Sequence, residues 1–177
     1  MGRDRVRGLR TPLRAYAAAA VAVAALVAVL APGTALAGSQ TIVPAHLNGD
    51  KAVAPKGAPG YVKEMIRAGN KIRHKKYVWG GGHGDWKDKG YDCSGAVSYV
   101  LHGAGMIDYA LDSEGFMKWG ESGRGDWVSI YASKDHVYMV VAGLRFDTSN
   151  TGGNGPRWST SLRSTSGTFA VRHPEGL

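Results

Sequence analysis

Cysteine is almost absent from this chain. One residue, Cys93, occurs in 177, so no disulfide can form within the molecule. One cysteine and six scattered histidines also lack the spacing of a metal centre, and no metal or cofactor is expected. The run Gly80-Gly81-Gly82-His83-Gly84 is not followed by Gly-Lys-Ser/Thr at the spacing of a phosphate loop, which removes the usual nucleotide site. There is no stripe of Lys and Arg interleaved with aromatics, so nucleic acid is not expected as a partner. No internal repeat recurs.

What is present begins with an N-terminal leader pattern. Arg3, Arg5, Arg7, Arg10 and Arg14 form a basic region, and 15–31 is an apolar run of mostly Ala and Val. Ala35-Leu36-Ala37 then places small residues at the two positions a signal peptidase reads. Residues 1–37 are therefore expected to be a signal peptide, with a retained membrane anchor as the alternative, and the protein to be secreted or wall-associated with no stable membrane span after cleavage. The formal charge of +8 falls to +4 without the leader, a mild excess compatible with a polyanionic wall or membrane surface. Export also removes the fuel for ATP-driven chemistry. A lone thiol outside the cell is left with pairing between chains or with reactivity of its own.

Residues 38–59, with Pro44, Pro55 and Pro59 and little periodicity, read as a linker or extended arm. Residues 60–177, roughly 118 positions, suffice for one domain with its own core. Val62, Met65, Ile66 and Ile72 predict a helix over about 61–74, weakened by Gly69 and Asn70. Ala96, Val97, Val100, Leu101 and Ala104 predict a second helix that ends near Gly103 or Gly105. Asp92 suits its N-cap and Cys93 its first turn. Strands are expected at 127–131, 136–142, 144–148 and 169–173, with a hairpin about Ala142-Gly143. Helices first and strands later predict an α+β domain with a small antiparallel sheet.

A thiol at a helix start faces unpaired backbone N–H groups and the positive end of the dipole, which favours thiolate. The same residue also fits as a small buried hydrophobe, so the remaining residues must decide. A nucleophilic cysteine needs a base. His46 lies in the linker, His74 beside Lys75 and Lys76, His83 in the glycine loop, His102 late on the cysteine helix and His173 near the end. His136 opens an apolar strand after a polar turn, where an imidazole can be held rigidly. Across the hairpin, Asp147 falls near it and can orient the ring, with Asn150 as a second candidate.

These residues resemble a known family. Tyr77-Val78-Trp79-Gly80-Gly81, Tyr91-Asp92-Cys93-Ser94-Gly95, Gly125-Asp126-Trp127-Val128 and His136-Val137 are similar, in this order, to the motifs of NlpC-type cysteine peptidases of bacterial cell walls. The likeness covers about 60–150. It implies a papain-like fold, hydrolysis of amide bonds in peptidoglycan stem peptides, Cys93 as nucleophile and His136 as base. It also implies Tyr77 beside the oxyanion or substrate, and Asp92 and Ser94 at the substrate's amine end. Two departures stand out: a longer loop before Cys93 containing Asp85-Trp86-Lys87-Asp88, and Asp147 where the family most often has His. Peptidoglycan stem peptides are the expected partner and the chain is expected to be a monomer. The alternatives are an N-acetylmuramoyl-L-alanine amidase or acyltransferase with the same site, or a non-catalytic wall-binding domain.

Overall fold

The helix α1 (Gly60–Ile72) buries Val62, Met65, Ile66 and Ile72 on one face. In the computed structural model, which describes residues 43–149, 154–164 and 169–177, that face lies against α2 (Cys93–Gly103). The two residues that weaken the helix in sequence have tertiary roles. Gly69 lets the Trp158 ring approach so closely that a Cβ would collide with it. The Asn70 side chain accepts from Ala52 N–H at 3.0 Å and donates to Ala52 O at 2.8 Å, replacing a strand's hydrogen bonds.

Those bonds hold a hairpin, β1 (His46–Asn48) and β2 (Lys51–Val53), in the region expected to be a linker. Ala45, Ala52 and Ala58 are buried in the core, so residues 45–58 pack onto the domain and do not form a free arm. Gly49, at φ +62°, makes the two-residue turn possible.

A two-residue parallel pair, β3 (Lys76–Tyr77) with β4 (Gly90–Tyr91), closes the base of the glycine-rich loop. After α2 and the single turn α3 (Ser113–Phe116) come β5 (Glu121–Ser122), β6 (Val128–Ala132), β7 (Val137–Val141), β8 (Leu144–Asp147), β9 (Arg157–Ser159) and β10 (Ala170–His173). They form one antiparallel sheet in the order β5-β10-β6-β7-β8-β9. The four expected strands are present within a residue or two; β5 and β9 lie outside the expected pattern. The β7–β8 turn is made by Ala142 (φ +48°) and Gly143 (φ +85°), the two left-handed positions that match strand twist.

The α2 helix packs on β7 and β8, so its N-terminus lies beside the start of β7. Val97, Val100, Leu101, Ile130, Met139 and Phe146 fill the space between. Burying such side chains contributes roughly 1.5–3 kcal/mol each, which makes this helix–sheet contact the rigid platform under the site. Among the described residues no helix is long and apolar enough to cross a membrane. The leader lies outside the described residues.

Candidate active site

The site is built on the N-terminus of α2. Asp92 has extended backbone (φ −83°, ψ −173°), and its Oδ1 accepts from Gly95 N–H at 2.7 Å, an N-cap that fixes where the helix begins. Cys93 is the first helical residue. Gly95 is required for another reason. A Cβ there would collide with the carbonyl of Gly81, so the glycine-rich loop and the helix meet backbone to backbone. The loop is tied down at several points: Gly80 N–H donates to Asp92 Oδ2 (3.0 Å), Gly82 N–H to Asp88 Oδ2 (2.9 Å) and Tyr91 Oη to Trp86 O (2.6 Å).

The Cys93 thiol is largely buried and lies 3.6 Å from Ser113 Oγ. Burial pushes it up, but hydrogen bonds from His136, Ser113 and the Val137 N–H, with the charge of His136, outweigh burial and hold it below its ordinary value. His136 sits just before β7, on a turn where Ser133 Oγ accepts from His136 N–H at 3.2 Å. Its Nε2 lies 2.9 Å from Asp147 Oδ1, leaving Nδ1 for the thiol. Burial pushes the imidazole down, yet the bonds to Asp147 and Cys93 and the charges of both raise it to about 9. The pair thus has the character of a thiolate facing an imidazolium, two coupled groups rather than two independent ones.

Asp147, at the end of β8, is fully buried as a side chain. The β7–β8 register pairs Met139 with Phe146, so Asp147 reaches His136 diagonally across the ladder. Burial raises its carboxyl, but the His136 bond, the Ser149 N–H (2.9 Å) and the charges of His136 and Arg163 bring it below the usual carboxylate range. Arg163 Nη1 lies 3.4 Å from Oδ2 and donates to Ser149 Oγ at 2.8 Å. Asn150, the second candidate for orienting the ring, lies outside the described residues.

Cys93 opens on a groove of about 520 Å³. Tyr77, Trp79, His83, Asp92 and Ser94 line one wall, and Ser113, Glu114, Lys134 and Asp135 are among the residues of the other. Tyr77 keeps its proton: burial and the negative charges of Cys93 and Asp92 push its hydroxyl above the ordinary phenol range. Trp79 is 87% exposed at the mouth. All six residues singled out in the sequence, Tyr77, Asp92, Cys93, Ser94, His136 and Asp147, thus occupy this region.

His83, which sequence reasoning left in its loop, is also here. Its Nε2 lies 3.1 Å from Asp92 Oδ1 and 3.2 Å from Ser94 Oγ. Ser113 and Arg163 were missed too, and no local pattern marks either. Among the described residues no group of three His, Cys, Asp or Glu side chains is placed to hold a metal ion.

No family model and no curated protein matches the chain. Solved structures do. A variant of RipA, a protein that interacts with resuscitation promoting factor, is 22% identical over 75% of this chain and 70% of that one, with a TM-score of 0.51. NlpC1 from Trichomonas vaginalis is 17% identical over 66% of this chain and 44% of that one, with a TM-score of 0.49. A second RipA variant gives 0.48 at 22% identity. The first of these likenesses shows that the expected fold is present, a papain-like α+β domain. The site geometry described above is this chain's own.

Proposed function

We propose that the protein is an exported cysteine peptidase that hydrolyses amide bonds in peptidoglycan stem peptides. One observation carries the reading: a thiol at a helix N-terminus, held below its ordinary pKa by a neighbouring imidazole whose Nε2 lies 2.9 Å from a buried carboxylate. This is the arrangement of an activated nucleophile, its base and the group that orients the base. The NlpC-type fold supports peptidoglycan as the substrate class, and the leader pattern of 1–37 supports export.

In this mechanism the Cys93 thiolate attacks the scissile carbonyl carbon. The carbonyl electrons move to oxygen, where backbone N–H groups at the start of α2 and the protonated Tyr77 hydroxyl can donate. His136 gives its proton to the leaving amine as the C–N bond breaks, leaving a thioester. The neutral imidazole then takes a proton from water, the hydroxide displaces Cys93, and acid product leaves. Asp147 keeps the ring turned toward the sulfur and stabilises its positive form. The mixed charges of Glu114, Lys134 and Asp135 suit a zwitterionic diamino acid residue in the opposite part of the groove.

Digestion of purified muropeptides, with products identified by mass, tests this reading. The expected product is a new amine within the stem peptide. A new amine on the first alanine, with release of the intact stem, identifies an N-acetylmuramoyl-L-alanine amidase instead. No cleavage by a protein whose Cys93 alkylates slowly identifies a binding domain.

A further inference from the structure

Strand alternation divides the side chains of the sheet between two faces. Ile130, Met139 and Phe146 face the helices and fill the core. On the opposite face Ser129 stands across from Val140 and Tyr131 across from Tyr138, with the two tyrosine rings stacked at 4.8 Å and 5°. These four residues line a cavity of about 220 Å³ that shares no lining residue with the catalytic groove. Ser129, Tyr131 and Tyr138 are 7%, 5% and 1% exposed, and none of their hydroxyls has a hydrogen-bond partner among the described residues. A buried hydroxyl left unpaired costs free energy. The cavity that all three line is where a partner for them fits.

Charge says what kind of partner. Arg124 and Arg163 line the cavity with Asp126, a net charge of +1. Arg124 is exposed, and its side chain makes no ion pair or hydrogen bond among the described residues. Arg163 meets Asp147 and Ser149 through Nη1, which leaves the donors on Nε and Nη2 for a ligand. Two guanidinium forks and three hydroxyls call for an anion, while Asp126 disfavours a second negative charge. A carboxylate, a flat monoanion that a guanidinium binds through two parallel bonds, suits this set better than a phosphate dianion. The volume lies below the roughly 300–1,000 Å³ of ordinary small-molecule pockets, so the ligand is of about amino-acid size.

We propose that this face of the sheet carries a second binding site, for a small monocarboxylate such as an acylated amino acid, and that the ligand competes with Asp147 for Arg163. The site lies outside the groove and does not depend on the peptidase reading. Arg163 Nη1 lies 3.4 Å from Asp147 Oδ2, so a carboxylate on the same guanidinium draws on the charge that otherwise serves Asp147. By linkage, removing the Asp147 charge tightens the ligand by the factor with which that charge weakens it.

N-acetylalanine is the probe, followed by heteronuclear NMR at the tryptophan indole N–H groups. Trp127 lines the cavity and Trp79 the catalytic groove, so the signal that moves locates the ligand. The Trp127 signal is expected to shift saturably, with a millimolar Kd. N-acetylalaninamide, which lacks the charge, is expected to bind about tenfold more weakly or worse, and inorganic phosphate to bind more weakly than the carboxylate. Arg124→Gln is expected to weaken N-acetylalanine by about tenfold. Asp147→Asn is expected to tighten it about two- to fivefold, the worth of a partly exposed ion pair. A shift at Trp79 alone, equal affinity for acid and amide, or wild-type affinity in Arg124→Gln overturns the site. Tighter binding of phosphate overturns the choice of a monocarboxylate. Unchanged affinity in Asp147→Asn overturns the competition for Arg163.

Discussion

Two histidine–carboxylate pairs flank Cys93, and both join Nε2 to Oδ1. The His136–Asp147 pair is 2.9 Å long and its side chains are 19% and 0% exposed. The His83–Asp92 pair is 3.1 Å long and its side chains are 29% and 11% exposed. What separates them is the rest of each carboxylate's surroundings. Asp92 is bonded chiefly to helix and loop N–H groups, so its charge fixes the start of α2 and the path of residues 80–83. Asp147 is buried on a sheet, with Ser149 and Arg163 holding it ionised, and its charge is directed at one imidazole that touches the thiol. A His–Asp contact is therefore not a catalytic pair in itself. Burial and the position of the second ring nitrogen decide that.

The sharpest way to break this comparison is to remove each ring. Cys93→Ala is expected to abolish hydrolysis without unfolding the protein, since a thiol lost at a groove leaves little cavity. His136→Ala is expected to lower kcat/KM by about 10²–10⁴-fold, the usual worth of a positioned acid–base group, and to slow alkylation of Cys93 by iodoacetamide sharply. His83→Ala should leave the alkylation rate near that of wild type. Equal slowing in the two histidine variants would show that the pairs are not distinct in the way described.

The next test removes the orienting carboxylate. Asp147→Asn is expected to reduce kcat by about 10–10³-fold, with less effect on KM, because a misdirected imidazole fails in proton transfer rather than binding. The pH profile supplies the sign. Activity requires the thiolate, so it rises as pH passes the lowered Cys93 pKa. It also requires the imidazolium, so it falls as His136 loses its proton near 9. Asp147 is a principal reason that His136 is raised, so Asp147→Asn should move the alkaline limb to lower pH. An alkaline limb that stays in place would remove Asp147 from the catalytic unit.

The corresponding change on the other side acts on stability. Asp92→Ala removes a helix cap and strands the Gly80 and Gly95 N–H groups. The expected loss is about 1–3 kcal/mol, read as a lower midpoint in urea at unchanged slope. A midpoint within error of wild type would mean that the cap contributes nothing and that Asp92 serves the groove alone.

The two pairs also differ in how well they can be read from the sequence. Cys93, His136 and Asp147 stand at places that local rules identify: a cap before an apolar helix face, the first position of an apolar strand, and a residue across a two-residue hairpin turn. His83 has no such signature, because its place depends on Gly81 and Gly95 meeting backbone to backbone, a contact between segments each of which reads only as glycine. Arg163 and Ser113 are brought in by a late strand connection and a single helical turn, neither of which has a period long enough to see. The β1–β2 hairpin escaped for a similar reason, since three-residue strands with mostly exposed side chains carry no alternation. Gly49-Asp50 was its one available signal, a dipeptide with glycine at the first position of a two-residue turn.

The smallest expected effect concerns Arg163, which has no counterpart at Asp92. Its guanidinium lies 5.5 Å from the centre of the Tyr138 ring and 5.8 Å from that of Phe169, which steady it beside Asp147. Its positive charge favours the ionised form of Asp147 and at the same time offsets part of the field that Asp147 exerts on His136. The side chain is partly exposed, so solvent weakens the interaction, and pairs of this kind are worth about 0.2–1 kcal/mol. Arg163→Gln should therefore leave kcat within about tenfold of wild type. Its alkaline limb should move slightly upward, by less than about one pH unit, because an Asp147 charge offset by Arg145 alone, whose Nε lies 3.7 Å from Oδ2, holds the imidazole proton more strongly. This direction is opposite to that of Asp147→Asn, so the two variants measured together separate a residue that tunes the carboxylate from one that merely supports the fold. A downward shift in Arg163→Gln would mean that Asp147 turns away when its arginine is lost, making Arg163 a positioning residue for the carboxylate rather than a modulator of its charge.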